Sequence, residues 1–138
     1  MATPFSVNVV SQDRCLYEGN VVQIAATATT GELGILARHS PMMAMLKPGQ
    51  VRLTLENGEE QVIYVSGGFI EVQPKQTIIL ADEAIRAEDL DEAEIKAAKE
   101  RAVARMKGIN DAGPDAIRIH MEIAQLTAQI SAIRRNKH

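Results

Sequence analysis

Aromatic side chains are nearly missing from this chain. It has two Phe, two Tyr and no Trp in 138 residues. A packed core must therefore be built from Val, Ile, Leu, Met and Ala, and the stacking platform used to hold unpaired bases is absent. The formal net charge of −3 gives no global attraction to a phosphate backbone, so no nucleic-acid partner is expected. Cys15 is the only cysteine, which excludes an intrachain disulfide and a cysteine zinc cluster. No apolar run approaches the roughly 20 residues of a membrane helix, so direct membrane insertion is not expected. The opening MATPFSVNVVSQDR lacks the basic-then-apolar pattern of a secretory signal. These absences point to a soluble cytoplasmic protein. Its 46% hydrophobic residues suffice for a core.

Catalytic signatures are missing as well. No GxxxxGK[ST] phosphate loop occurs. Neither GELG (31–34) nor SGG (66–68) opens a helix as a dinucleotide fingerprint must, and SGG does not fit GxSxG. His39, His120 and His138 show no spacing that converges with carboxylates on a metal, so no metal site is expected. Gly31, Gly34, Gly67 and Gly68 are read as turn and bulge glycines rather than a phosphate cradle. No nucleophile, base and orienter can be named together, so the chain is not expected to be an enzyme in its own right.

What is present divides into two periods. Up to about residue 86, apolar residues alternate or form short β-branched runs: FSVNVV (5–10), VVQIAATAT (21–29), VRLTLE (51–56), QVIYVS (61–66), FIEVQ (69–73) and QTIILA (76–81). Asn57-Gly58 and Pro74-Lys75 are read as hairpin turns. This pattern predicts an antiparallel β-sandwich over 1–86.

From residue 87 to 138 the period becomes helical. Ile95, Ala98, Ala102, Met106 and Ile109 share one face of a helix expected over about 88–107, with acids at its start and bases at its end. The breaker cluster GINDAGP (108–114) follows. Beyond it, Ile119, Ile123, Leu126, Ile130 and Ile133 form a seam on a second helix, expected over about 115–135. A short link between two helices predicts an antiparallel hairpin. Ile117 and Met121 lie off the seam, so the second helix has a second apolar side, either docked on the sandwich or open to a partner. Arg134, Arg135 and Lys137 close the sequence beyond the seam, where a docked hairpin is expected to leave them facing water.

Several blocks occur in one order: GELGIL (31–36), HSP (39–41), KPG (47–49), SGGFIEV (66–72), LADEA (80–84) and LDEA (90–93). Together they resemble the epsilon subunit of bacterial F-type ATP synthases, over nearly the whole chain. The resemblance implies an N-terminal antiparallel β-sandwich of about ten strands and a C-terminal helical hairpin. It implies a non-catalytic central-stalk subunit that contacts the gamma subunit and the ring of c subunits. That places it peripherally on the cytoplasmic face of the bacterial inner membrane. It also implies that the helices can extend between gamma and the catalytic alpha and beta subunits to inhibit ATP hydrolysis. By the same resemblance, Glu32 faces the c-ring, and His39 and Ser66 lie near gamma or the catalytic subunits. Arg134, Arg135 and Lys137 form the inhibitory helix tip.

Some members of that family bind ATP through [IL]-D-x-x-R-A at the start of the first helix. Here Leu90 and Asp91 match, but Glu94 and Ile95 replace the Arg and Ala. Arg101 matches a further basic position, whereas the phosphate-facing arginines of the second helix fall on Thr127 and Ser131. Arg118 and Arg134 remain as substitutes. A weak nucleotide site at Asp91 and Arg101 is the most this pattern supports, because an acid in place of a phosphate ligand reverses the local field. No cofactor is expected. The competing class is a stand-alone small-ligand-binding β-sandwich with a helical tail, separated from the first reading by whether the chain binds gamma.

Overall fold

Phe5, Val7 and Val9 alternate with Ser6, Asn8 and Val10, and in a computed structural model this hexapeptide is strand β1 (Phe5–Val10), its odd residues buried. The structure describes residues 2–109 and 113–137. The centre of the breaker cluster, 110–112, and His138 lie outside the described residues. After β1 come β2 (Cys15–Val21), β3 (Gln23–Ala28), β4 (Gly31–Ile35), β5 (Met42–Thr54), β6 (Glu60–Val65), β7 (Gly68–Val72), β8 (Gln76–Ala81) and β9 (Ala84–Arg86). A 3-10 turn (Ala87–Asp89) leads to α1 (Glu92–Met106) and α2 (Pro114–Asn136).

The strands form two layers that share β5. Its first half pairs with β7, in the order β2-β1-β8-β7-β5, and its second half pairs with β6 and β3, continuing to β9 and β4. The change of layer falls at Lys47-Pro48-Gly49. Proline cannot donate to a ladder, and Gly49 lies so near Thr27 that an added Cβ would stand 2.5 Å from its Cβ. These residues bend the strand without ending it. Nine strands therefore stand among the described residues where about ten are expected. The pairing is antiparallel except that β1 runs parallel to β8.

The core between the layers is aliphatic, as the shortage of aromatics requires. Val7, Val9, Ile24, Val51, Leu53, Ile63, Ile70 and Ile79 are fully buried. Each such side chain contributes about 1.5–3 kcal/mol relative to exposure. No helical residue joins this cluster.

Both expected hairpins are found. Pro74-Lys75 is a two-residue loop closed by Gln73 and Gln76. At Asn57-Gly58 the turn differs from a two-residue one. Only Gly58 has positive φ (88°), and Asn57 accepts the Glu59 amide through its side chain, giving a longer loop.

The first helix begins later than about 88. Leu90 is extended, and the Asp91 carboxylate accepts from the amides of Ala93 (3.1 Å) and Glu94 (3.3 Å). That N-cap sets the start at Glu92 and leaves Glu88 and Asp89 in the preceding turn. The hairpin seam follows the expected spacing, with Ile95, Ile130 and Ile133 buried against Leu90 and Leu126.

Candidate docking faces

A two-layer sandwich has two outer faces, and here they are treated differently. On the layer containing β6, residues opposite each other across β5 and β6 point outward: Gln50 beside Tyr64, and Arg52 beside Val62. Helix α2 lies on this face. Val62 and Tyr64 are buried with Ala128 and Ala132, and with Ala87 at the rim. The two alanines are four residues apart and so occupy one side of the helix, where their small side chains let it approach closely. Burial pushes the Tyr64 phenol above its ordinary range. At the edge of the contact, Gln50 Nε2 donates to Ser131 Oγ at 3.2 Å.

The second apolar side expected for α2 is thus supplied by alanines. Ile117 and Met121 do not dock; they are 58% and 59% exposed. They sit too far toward the helix N-terminus to reach the sandwich face that Ala128 and Ala132 occupy.

The other outer face has no such cover among the described residues. Met45 pairs with Phe69, and Phe69 with Leu80, so the three side chains line up across β5, β7 and β8. Met43 lies on the same side, two residues before Met45. All four are large, apolar and open, at 65% (Met43), 55% (Met45), 46% (Phe69) and 54% (Leu80) exposure. Three strands spaced about 4.8 Å apart make this a stripe about 10 Å wide. A contiguous apolar patch built by strand register, rather than by scattered residues, marks a contact surface.

Sequence reasoning names none of these four. The signal that could have found them is in the alternation. Strands whose inward residues are already apolar (Ile70, Val72, Ile79, Ala81) also carry apolar residues at outward positions (Phe69, Leu80). Both faces of such a strand need cover.

The residues predicted from sequence fall on separate segments. Glu32 is on β4, exposed, and paired with Arg52 of β5. His39 is half-buried between β4 and β5, with Nδ1 2.8 Å from the Ser40 carbonyl oxygen. Ser66 occupies the bend between β6 and β7, where its amide donates to the Glu83 carbonyl at 3.0 Å. No hydrogen bond or ion pair joins the three among the described residues.

Asp91 spends its carboxylate on the helix cap, and Arg101 is exposed on α1. Ten residues of helix separate them by about 15 Å. The groove between the helices is instead lined by Lys96, Lys99, Glu100, Thr127, Ile130, Ser131 and Arg134. Neither Asp91 nor Arg101 lines it, and Arg118 is paired with Asp115 on its own helix.

The basic tip departs from expectation. Arg135 donates through Nε and Nη2 to the two carboxylate oxygens of Glu60 on β6, at 2.8 and 3.0 Å. Lys137 donates to Glu92 at the start of α1, at 2.7 Å. These two bases are engaged within the chain and do not simply face water, because the last turn of α2 carries them over carboxylates that the sequence places 75 and 45 positions away. The hydrogen bond from Arg135 lowers the Glu60 pKa, and those from Lys137 and Lys96 lower that of Glu92 to about 2. Among the described residues no group of three or more His, Cys, Asp or Glu side chains converges to hold a metal, and no helix is long and apolar enough to cross a membrane.

Comparison with known proteins agrees with this architecture. Residues 4–87 match the family described as ATP synthase, Delta/Epsilon chain, beta-sandwich domain. The ATP synthase epsilon chain of Dichelobacter nodosus is 58% identical over 142 residues, covering 99% of each chain. That of Alkalilimnicola ehrlichii is 43% identical over 129 residues, covering 94% of this chain and 91% of its own. Among solved structures, a chain of the Euglena gracilis mitochondrial ATP synthase, in an OSCP/F1/c-ring assembly, superposes with a TM-score of 0.79 at 26% identity, covering 98% of this chain and 82% of that one. A chain from the central stalk and c-ring of the Tetrahymena thermophila mitochondrial enzyme shares the fold at a TM-score of 0.59 and 13% identity. With the sandwich matched by the family model and both halves matched by full-length relatives, the chain belongs to the family of ATP synthase epsilon chains.

Proposed function

We propose that this chain is a non-catalytic central-stalk subunit of an F-type ATP synthase. It is held peripherally on the cytoplasmic face of the bacterial inner membrane through its partner subunits. The observation that carries the reading is the unequal treatment of the two outer faces. One is covered in cis by α2, and the other presents Met43, Met45, Phe69 and Leu80 uncovered. A stripe of that kind fits the apolar flank of a stalk subunit, here gamma. The start of β4, with the Glu32 carboxylate paired to Arg52, fits the polar loops of a c-ring, the assembly in which the Euglena relative was solved. His39 and Ser66 are assigned to the surroundings of those contacts. The hairpin is assigned to restraint of ATP hydrolysis by the alpha and beta subunits, with its basic tip as the contact element. Glu94 stands where a phosphate-binding base is needed, which argues for weak nucleotide affinity at most.

The test is reassembly with the stalk and catalytic subunits. Replacing Met45 and Phe69 by Asp should abolish co-purification with gamma while the free chain keeps its strand-type circular dichroism. Omitting residues 91–138 should raise ATP hydrolysis by the complex. Undiminished gamma binding by the double Asp variant would overturn the assignment of this face.

A further inference from the structure

Three bases close α2, and the structure uses them differently. Arg134 belongs to the groove between the helices, beside Lys96 and Lys99, and forms no ion pair among the described residues. Arg135 forks onto both oxygens of Glu60, which ties the end of α2 to strand β6 of the sandwich. Two parallel bonds fix direction as well as distance. Lys137 reaches the other way, to Glu92 Oε1 in the first turn of α1, while Lys96 holds Oε2 at 2.9 Å. The C-terminal end of α2 is therefore fastened at two points, once to the sandwich and once to its partner helix.

The apolar contact beneath these fastenings is thin. Val62 and Tyr64 provide the area on the sandwich side, but α2 answers with Ala128 and Ala132. An alanine permits close approach and buries little. At the edge of this contact the Gln50–Ser131 hydrogen bond adds a polar link. The exposed ionic contacts at the end of the helix therefore add a modest, salt-sensitive contribution to the docking.

We propose that Arg135–Glu60 and Lys137–Glu92 form an electrostatic clasp that holds the C-terminal end of α2 against the sandwich and the base of α1, and keeps both bases from any other acidic surface until α2 lifts. The clasp and an acidic partner surface compete for the same guanidinium and ammonium groups, so engagement of one requires release of the other. The proposal goes beyond the assignment of the chain to a stalk and is tested on the free full-length chain, so failure of either leaves the other standing.

The experiment is hydrogen exchange read by peptide, comparing the native chain with Glu60→Gln, Lys137→Gln, their combination, and the charge exchange Glu60→Arg with Arg135→Glu. Lys137 is chosen over Glu92 because it takes no part in the Glu92–Lys96 pair within α1. Each single Gln variant should speed exchange in the last turns of α2 by roughly two- to fivefold, and the combination by roughly tenfold. Peptides from β7 and β8, which touch neither pair, should be unchanged. The charge exchange should restore protection relative to Glu60→Gln. In the native chain, raising NaCl from about 0.05 M to about 0.5 M should speed α2 exchange and leave β7 and β8 unaffected, because exposed pairs are screened. If a variant loosens the sandwich as well, this salt response of the native chain decides. Unchanged α2 exchange in the combined variant, or a native α2 indifferent to salt, overturns the clasp.

Discussion

Arg86 donates from Nη2 to the backbone carbonyl of Leu16 at 2.6 Å, joining two residues 70 positions apart. Arg14 returns the gesture to the Ala84 carbonyl at 3.1 Å. Strand β9 is an open edge of one layer and β2 an open edge of the other. The two guanidinium groups satisfy carbonyls at these edges and so close the side of the sandwich where no ladder forms. Arg86→Ala should lower unfolding free energy by about 1.5–3 kcal/mol, the range for a hydrogen bond from a charged donor. Arg14→Ala, with the longer bond, should cost less. Urea midpoints measure both. Equal losses would mean that bond length does not rank the two.

Gly68 carries a different constraint. Its φ is +134°, and a Cβ there would stand 2.0 Å from the Leu80 carbonyl oxygen. Gly68→Ala should destabilise by about 2–4 kcal/mol through backbone strain and overlap together. Gly34 offers the control, because nothing lies within 4 Å of its added Cβ. Gly34→Ala should shift the thermal midpoint by no more than about 2 °C. A Gly68→Ala chain that melts with the native one would refute the close approach.

The sandwich was legible because its signals are local. Alternation along β1, β5 and β8 needs only neighbouring residues, and the seam of Ile119, Ile123, Leu126, Ile130 and Ile133 needs only one helix. The glycine pair at 67 and 68 could be read as a turn, but not as a close approach to Leu80, which lies twelve residues on. The same limit hid the stripe of Met43, Met45, Phe69 and Leu80. Each residue looks ordinary in its own strand, and only register across three strands makes a face. It also hid the partners of the tip. Glu60 and Glu92 are unremarkable acids until the hairpin folds back over β6. Charge order along a helix is written in sequence; the opposing charge from another element is not.

Acid should loosen the hairpin before the sandwich. Glu92 faces Lys137 and Lys96, and Glu60 faces Arg135 with Arg52 farther off. Both carboxyls have folded pKa values below the ordinary one, so the stability they add is fully present above the unfolded value of about 4.3 and is lost as pH falls through the folded values. For Glu92 the window runs from about 4.3 down to about 2. Proteolysis by pepsin, which works in this range, should cut first in residues 114–137, at a rate that rises as pH falls from about 4.5 to about 3. First cleavage within β7 or β8 would show that the hairpin is not the acid-sensitive part.

The sandwich should fold without its helices, and the reason lies in how the core is divided. The main cluster is drawn wholly from strands β1 to β9, whereas the helical residues of the two smaller clusters belong either to the α1–α2 seam or to the small contact around Tyr64. Removing residues 91–138 leaves the first cluster whole and uncovers only Val62, Tyr64 and their rim. At about 25 cal/mol per Å² of apolar surface, the loss is confined to that face and does not reach the residues that hold the two layers together. The fragment should therefore melt cooperatively, with a reduced dependence on denaturant because less surface is exposed on unfolding. It should also associate more readily than the full chain, since both outer faces are now apolar and open. Replacing Val62 by Thr should suppress that association without altering the melt by more than about 1 kcal/mol, because the side chain no longer has a helix to pack against. A fragment that lacks a cooperative transition, with or without the Thr replacement, would mean that α2 is part of the sandwich's own folding unit.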